Sequence, residues 1–242
     1  MMIPTRRVFL QSLGALPVLG ALPALKHNAI ALDAGGEFLF AVNEISEFQG
    51  LPTGSVESYA VEPGSGHLTL VTRAPLSLSA TLPRHLALSP DGRYLVVTAF
   101  GGGCYNVLPV GRGGEIGAPT QIIKEIGYGP HAEKQASAHP HSVVFHPSGK
   151  FVIGTDLGSD RINVFAFEEG RMRRIQQVDT PAGSGPAGLQ MSPDGGSIRV
   201  QHEISGLVAS YRFNSVDGVL KAATSPLSHG PSRFGDGSHD VS

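Results

Sequence analysis

Apolar residues in this chain fall in short alternating runs separated by Pro, Asp, Ser and Gly. One strand–turn–strand unit recurs four times: Ile30 to Phe40, Leu86 to Val96, Val144 to Ile153, and Leu189 to Arg199. Each unit has the same local logic. In the last three, Pro presets φ at the first turn position, where the first unit has Ala34; Asp or Ser can bond the backbone, and Gly takes the positive φ that closes a hairpin. The turn glycines Gly36, Gly92, Gly149 and Gly195 are 56, 57 and 46 residues apart. Flanking runs such as Tyr94 to Thr98 and Phe151 to Thr155 alternate with the period of two that marks strands. Further strand pairs lie between the units: Val56–Val61 with His67–Val71, Ile162–Phe167 with Arg171–Gln176, and Leu207–Phe213 with Gly218–Lys221. Four strands per period of this length predict an all-β fold, a β-propeller of four-stranded blades, about four of them and possible as an open array.

Composition narrows the partners more than it changes the fold. The 242 residues hold 32 Gly, 18 Pro and no Trp, which suits many turns, while 40% hydrophobic content argues against disorder. A formal charge of −2 gives no electrostatic reason to expect nucleic acid or an anionic membrane as partner. Cys104 is the single cysteine, so no internal disulfide and no cysteine-built zinc cluster is available, and a small buried apolar role suits it. The glycines at 101–103 open onto a strand, which favours a turn over a phosphate cradle. His139, His141 and His146 lie close in sequence but lack a clear carboxylate companion, so neither a metal nor any other cofactor is expected.

The N-terminus reads as an address. Thr5-Arg6-Arg7-Val8-Phe9-Leu10 is followed by a weakly apolar run, rich in Gly and Pro, that ends near Leu25. Paired arginines before such a run form a twin-arginine export signal, and the run is too short and broken for a comfortable membrane span. This places a signal peptide at 1–28 and the folded domain at 29–242, working in the periplasm or outside the cell and free of the membrane once the signal is removed. Ala29-Ile30-Ala31 looks like a cleavage box, yet residues 28–40 also read as the first repeat, so two readings of this stretch compete.

The segment from Ala138 to Phe165 carries the chemistry. His139, His141, Asp156, Asp160 and Arg161 all fall at strand ends, and in a propeller such ends gather at one opening. Its pattern, His-x-His-Ser, Pro-x-Gly-Lys-Phe, then Asp-Leu-Gly-x-Asp-Arg, closely resembles the lactonase family of seven-bladed β-propellers, the 6-phosphogluconolactonase type. The resemblance runs over about residues 28 to 242 and implies hydrolysis of a sugar lactone, a small-molecule substrate, at the mouth of the propeller. A related chemistry in the same fold, cyclisation of carboxymuconate to a lactone, would use much the same pocket. Lactone opening adds water to an ester carbonyl, so it needs a base and donors for the developing oxyanion.

On that resemblance His141 stands at the catalytic histidine position, with His139 beside it. Arg161 matches a blade-end arginine, and Glu203 stands where the family has a glutamate after its strand. Lys134 and Gln135 fall where the family shows Arg-Gln, so the planar fork of arginine is lost there. Glu44 repeats the Asn-Glu motif one turn earlier, and His85 matches the blade-end histidine of the second repeat. Each has a plainer reading beside the functional one: a turn-bonded imidazole for His141 and His85, pairing with Asp160 or Asp156 for Arg161, a blade-end carboxylate for Glu203 and Glu44.

Two departures weaken the implied activity. Where the family expects Gly-Pro-Arg-His, this chain reads Gly185-Pro186-Ala187-Gly188, without the arginine and the histidine. The repeats also supply about four of the family's seven blades, which suggests a truncated or remodelled member with impaired catalysis, or a non-catalytic propeller fragment acting as a binding module. An incomplete array would leave blade edges open to self-association.

Overall fold

The structure, a computed structural model, describes residues 27–223 and the short strand at 228–229. The twin-arginine segment and the tail beyond residue 229 lie outside the described residues. Among the described residues every regular element is a strand.

The strands form four antiparallel sheets, each read off consecutively along the chain. Blade 1 is β1 (His27–Leu32), β2 (Phe38–Asn43), β3 (Ser55–Val61) and β4 (Leu68–Pro75). Blade 2 is β5 (Pro83–Leu88), β6 (Tyr94–Ala99), β7 (Cys104–Pro109) and β8 (Gln121–Lys124). Blade 3 is β9 (Pro140–Phe145), β10 (Phe151–Asp156), β11 (Arg161–Glu168) and β12 (Arg171–Asp179). Blade 4 is β13 (Pro186–Met191), β14 (Ser197–His202), β15 (Leu207–Asn214) and β16 (Val219–Ala222), with β17 (Ser228–His229) pairing onto β15. The first strands adjoin in order, β1 beside β5, β5 beside β9, and β9 beside β13, as the inner strands of a propeller do.

The repeated turn is the hairpin between first and second strand of each blade. Gly36, Gly92, Gly149 and Gly195 have φ of 71°, 74°, 72° and 74°, the left-handed region that only glycine enters without strain. A period-two pattern then sorts each second strand into two faces. In β2, Phe40 and Val42 face blade 2 and meet Leu95, Val97 and Ala99 of β6 in one apolar cluster. Val96 of β6 meets Val152 of β10 in the next cluster, and Ile153 of β10 meets Ile198 and Val200 of β14 in a third. Burying each such side chain contributes about 1.5–3 kcal/mol, so blade-on-blade packing is what holds the array together.

Blade 4 breaks this pattern on its far side. The β14 positions that correspond to Phe40, Val96 and Ile153 and their neighbours are Ser197, Arg199 and Gln201, and all three are exposed. Ser210 and Arg212 of β15, paired opposite Arg199 and Ser197, are exposed as well. The residues of the cleavage-like box, Ala29 to Ala31, sit in β1 and pair with Phe40 to Val42. A cut after Ala31 would strip blade 1 of its inner strand.

Candidate functional site

The four inner strands share an irregularity at one rim. In each blade the ladder between first and second strand slips by one residue: between His27 and Ala29, between Pro83 and His85, opposite Gly154 to Asp156, and between Pro186 and Gly188. A bulge of this kind leaves one residue without a cross-strand partner and re-aims its side chain. The surplus residues are Asn28, Arg84, His141 and Ala187. Proline starts the strand just before the bulge in blades 2, 3 and 4, where its missing N–H costs no ladder bond.

In blades 2 and 3 a threonine on the second strand pins the bulge to the blade that follows. Thr98 Oγ1 accepts the His85 N–H at 3.0 Å and donates to the His141 carbonyl at 3.0 Å. Thr155 Oγ1 repeats this one blade on, accepting the Ser142 N–H at 3.1 Å and donating to the Ala187 carbonyl at 2.7 Å. The backbone carrying His141 is therefore set by blade 2 as much as by its own sheet.

A connected row of side chains crosses all four blades at this rim. Glu44, just past β2, pairs with Arg84, with Nε to Oε1 at 2.6 Å. The Arg84 guanidinium lies 4.3 Å from the centre of the Phe100 ring. Phe100 stacks on His139 at 4.4 Å and presents itself edge-on to His141 at 6.0 Å. His141 Nε2 lies 3.7 Å from one oxygen of Glu203, and Lys134 Nζ lies 3.3 Å from the other. Glu44, Phe100 and Glu203 occupy the same place in blades 1, 2 and 4, one residue beyond the second strand.

Of the residues singled out in the sequence, His141, Glu203, Lys134, His139 and Glu44 thus belong to one row. His139 is held by its backbone N–H to Asp156 Oδ1 at 2.7 Å and by Nδ1 to the Phe100 carbonyl at 2.8 Å. That same Asp156 oxygen accepts the N–H groups of Gly158 and Ser159, closing the loop after β10. Burial pushes the Asp156 carboxyl above the ordinary range, and these N–H groups pull it partly back. Gly158 is obligatory here: a Cβ would collide with the Ser137 carbonyl and crowd His139.

Three others are placed differently. Gln135 is fully buried and staples the loop before β9, accepting the His131 N–H and donating to the Leu157 carbonyl at 2.8 Å. His85 follows the bulge of blade 2 rather than occupying it, and its Nδ1 is sealed from water without a partner. Burial pulls its pKa down to about 4, a backbone hydrogen bond at Val143 offsetting only part of this. Arg161 starts β11 and turns toward the outer strands, with Nη1 donating to the Ile126 carbonyl at 3.1 Å and Nε 3.6 Å from Asp179. No described contact joins it to His141. His146, the third histidine of the run, lies beyond the opposite end of β9, between Phe151 and Phe213. Sequence reading overlooked Arg84, Phe100 and Thr98, for which the bulge was the missing signal.

This fold and rim can be set against known proteins. The family described as "Lactonase, 7-bladed beta-propeller" matches residues 26–238. The chain belongs to the lactonase family. Among curated proteins it is 25% identical over 168 residues to a 6-phosphogluconolactonase of Bacillus subtilis (strain 168), covering 69% of this chain and 47% of that protein. Among solved structures it is similar to a putative 6-phosphogluconolactonase from Bacteroides uniformis, with TM-score 0.76 and 28% identity, covering 84% of this chain and 58% of that one. It is also similar to a periplasmic gluconolactonase of Pseudomonas aeruginosa, with TM-score 0.75 and 28% identity, covering 90% of this chain and 61% of that one. The lactonase chain described here spans about half the length of the curated relatives it matches.

Proposed function

We propose that this chain is a sugar-lactone hydrolase of the 6-phosphogluconolactonase-like type, exported by the twin-arginine route and acting on an unphosphorylated lactone. The observation that carries this reading is the contact of His141 with Glu203 and of Glu203 with Lys134, which brings blade 3, blade 4 and the loop before β9 together at one rim. Imidazole is matched to base catalysis near neutral pH. In the reaction His141 takes a proton from water as the water oxygen bonds to the lactone carbonyl carbon. The tetrahedral intermediate then expels the ring oxygen, which takes that proton back, leaving an open-chain acid. Glu203 beside Nε2 favours the imidazolium between these two steps, and Lys134 fixes the carboxylate from its other side.

Export supports the unphosphorylated substrate, because phosphorylated sugar lactones arise inside cells. The relative of known address named above, a periplasmic gluconolactonase, points the same way. The test is the purified chain assayed for opening of an aldono-1,5-lactone and its 6-phospho form, with His141→Ala as control. Faster opening of the unphosphorylated lactone by the unaltered chain is expected. Equal rates for the two proteins would sink the base assignment.

A second reading has one observation in its favour. Ala187, the surplus residue of blade 4, carries no polar atom in its side chain, and a pocket short of a donor binds better than it turns over. Saturable binding of the aldonate or its lactone with no rate above buffer would select this reading, a binding module.

A further inference from the structure

We infer that Arg84 holds the acyl oxygen of the lactone, the oxyanion in the intermediate and the carboxylate in the product. This rests on the lactone reading above and adds to it the cation that the reaction needs. Four observations converge on Arg84. It is the surplus residue of the blade 2 bulge, the position His141 occupies in blade 3, so both side chains are re-aimed by the same backbone device. It flanks the ring that His141 also flanks, with its guanidinium 4.3 Å from the Phe100 centre and the imidazole 6.0 Å from it, edge-on. Its side chain is only 17% exposed, so a charge–oxygen contact there is weakly screened by water. Its ion pair with Glu44 is made at Nε, which leaves the terminal nitrogens of the guanidinium outside that pair.

The alternatives are worse placed. Arg161 is bound to Ile126, in the loop after β8, and to Asp179 at the end of β12. Lys134 is half-exposed and already serves Glu203. At the fourth bulge Ala187 offers a methyl group, so among the described bulge residues Arg84 carries the one permanent positive charge. A substrate lying over the Phe100 edge would meet the base on one side and the guanidinium on the other. Glu44 then acts as a positioning residue, holding Arg84 without touching substrate.

The experiment compares Arg84→Met and Arg84→Lys with the unaltered full chain and with His141→Ala. Lactone opening is followed by proton release, and binding of the product aldonate by calorimetry. Arg84→Met should lower kcat/KM by about 100–1,000-fold, the usual effect of removing an oxyanion donor. It should weaken aldonate binding and leave the shape of the pH–rate profile unchanged, because the base is intact. Arg84→Lys should recover part of both losses, and added methylguanidinium should partly rescue Arg84→Met. Should Arg84→Met fail to fold by circular dichroism, Arg84→Lys carries the same comparison, since it keeps the charge and the stem. Wild-type rates and aldonate affinity in the Arg84 variants, with His141→Ala inactive, would overturn the role of Arg84 and leave the lactone reading standing. An unaltered chain that neither opens lactones nor binds aldonate would remove the lactone reading, and the role of Arg84 with it.

Discussion

Blades 3 and 4 have the same architecture and differ in almost everything that faces outward from it. Both start with proline, slip by one residue at the rim, turn at a Pro-x-Gly hairpin and bury one aliphatic face of the second strand. At the bulge, blade 3 has His141 where blade 4 has Ala187. At the end of the second strand, blade 3 has Asp156, whose oxygen accepts three N–H groups, where blade 4 has His202, buried with neither ring nitrogen partnered. Along that strand, β10 is buried throughout, while β14 alternates exposed and buried. The positions that fix the backbone are held constant and the positions that line the rim or meet the next blade are not. Making a blade and equipping it are thus separate tasks for the sequence.

The largest test of that separation converts one blade toward the other. His141→Ala gives blade 3 the side chain of blade 4 at the bulge and should lower lactone opening by about 100–10,000-fold in a steady-state assay. Thermal unfolding should move little, because a bulge residue has no ladder partner to lose. In the core the blades should part company by energy. Ile153→Ala, at a fully buried site facing blade 4, should cost about 2–5 kcal/mol in urea unfolding. Thr98→Val keeps the shape but loses two hydrogen bonds, one to each side of the blade 2–3 junction, and should cost about 1–3 kcal/mol. It should also lower kcat more than KM, since the His141 backbone is released.

Acid sharpens the contrast between Asp156 and His202. Burial lowers the His202 pKa beneath its unfolded value near 6.5, despite Asp160 nearby, so its neutral form stabilises the fold above that pH and the benefit is lost as pH falls. Burial raises the Asp156 pKa above its unfolded value, so the fold binds the extra proton first and stability falls as pH rises through that window. His202→Leu should therefore flatten the loss of stability on going from pH 7 to pH 5, and Asp156→Asn should flatten the opposite slope at lower pH. Denaturant midpoints across pH would read both, and an unchanged slope in either variant would contradict the assignment. The smallest effect belongs to Arg199→Ala on the open face of blade 4, within about 0.5 kcal/mol of the unaltered chain, where the change of its covered blade 3 counterpart, Ile153→Ala, should cost several times more.

Repetition made the fold legible in the sequence. The glycine-closed hairpins, three of them Pro-x-Gly, and their flanking alternation locate the first two strands of every blade, because the constraint is local: a positive φ that glycine alone meets cheaply. The rim was harder to read. A propeller gathers strand ends, so the run from Lys134 to Arg161 and the acids Glu44 and Glu203 stand out. Which end residue points into the opening depends on a slip in register of one position, and that slip has no marker in composition. Hence His85 attracts notice while Arg84 beside it takes the bulge. Gln135 is spent on closing its own loop, which needs the positions of the His131 and Leu157 backbones to be seen. Phe100 escapes any search for polar chemistry because it serves as a surface for its neighbours.

The recurrent slip in register has a further consequence. A residue that owes nothing to the ladder can be exchanged without disturbing the sheet, so the inner strands of blades 2, 3 and 4 hold sockets that accept arginine, histidine or alanine alike. Such a scaffold can be re-tooled one socket at a time, and a change at the rim need not wait for a change of architecture.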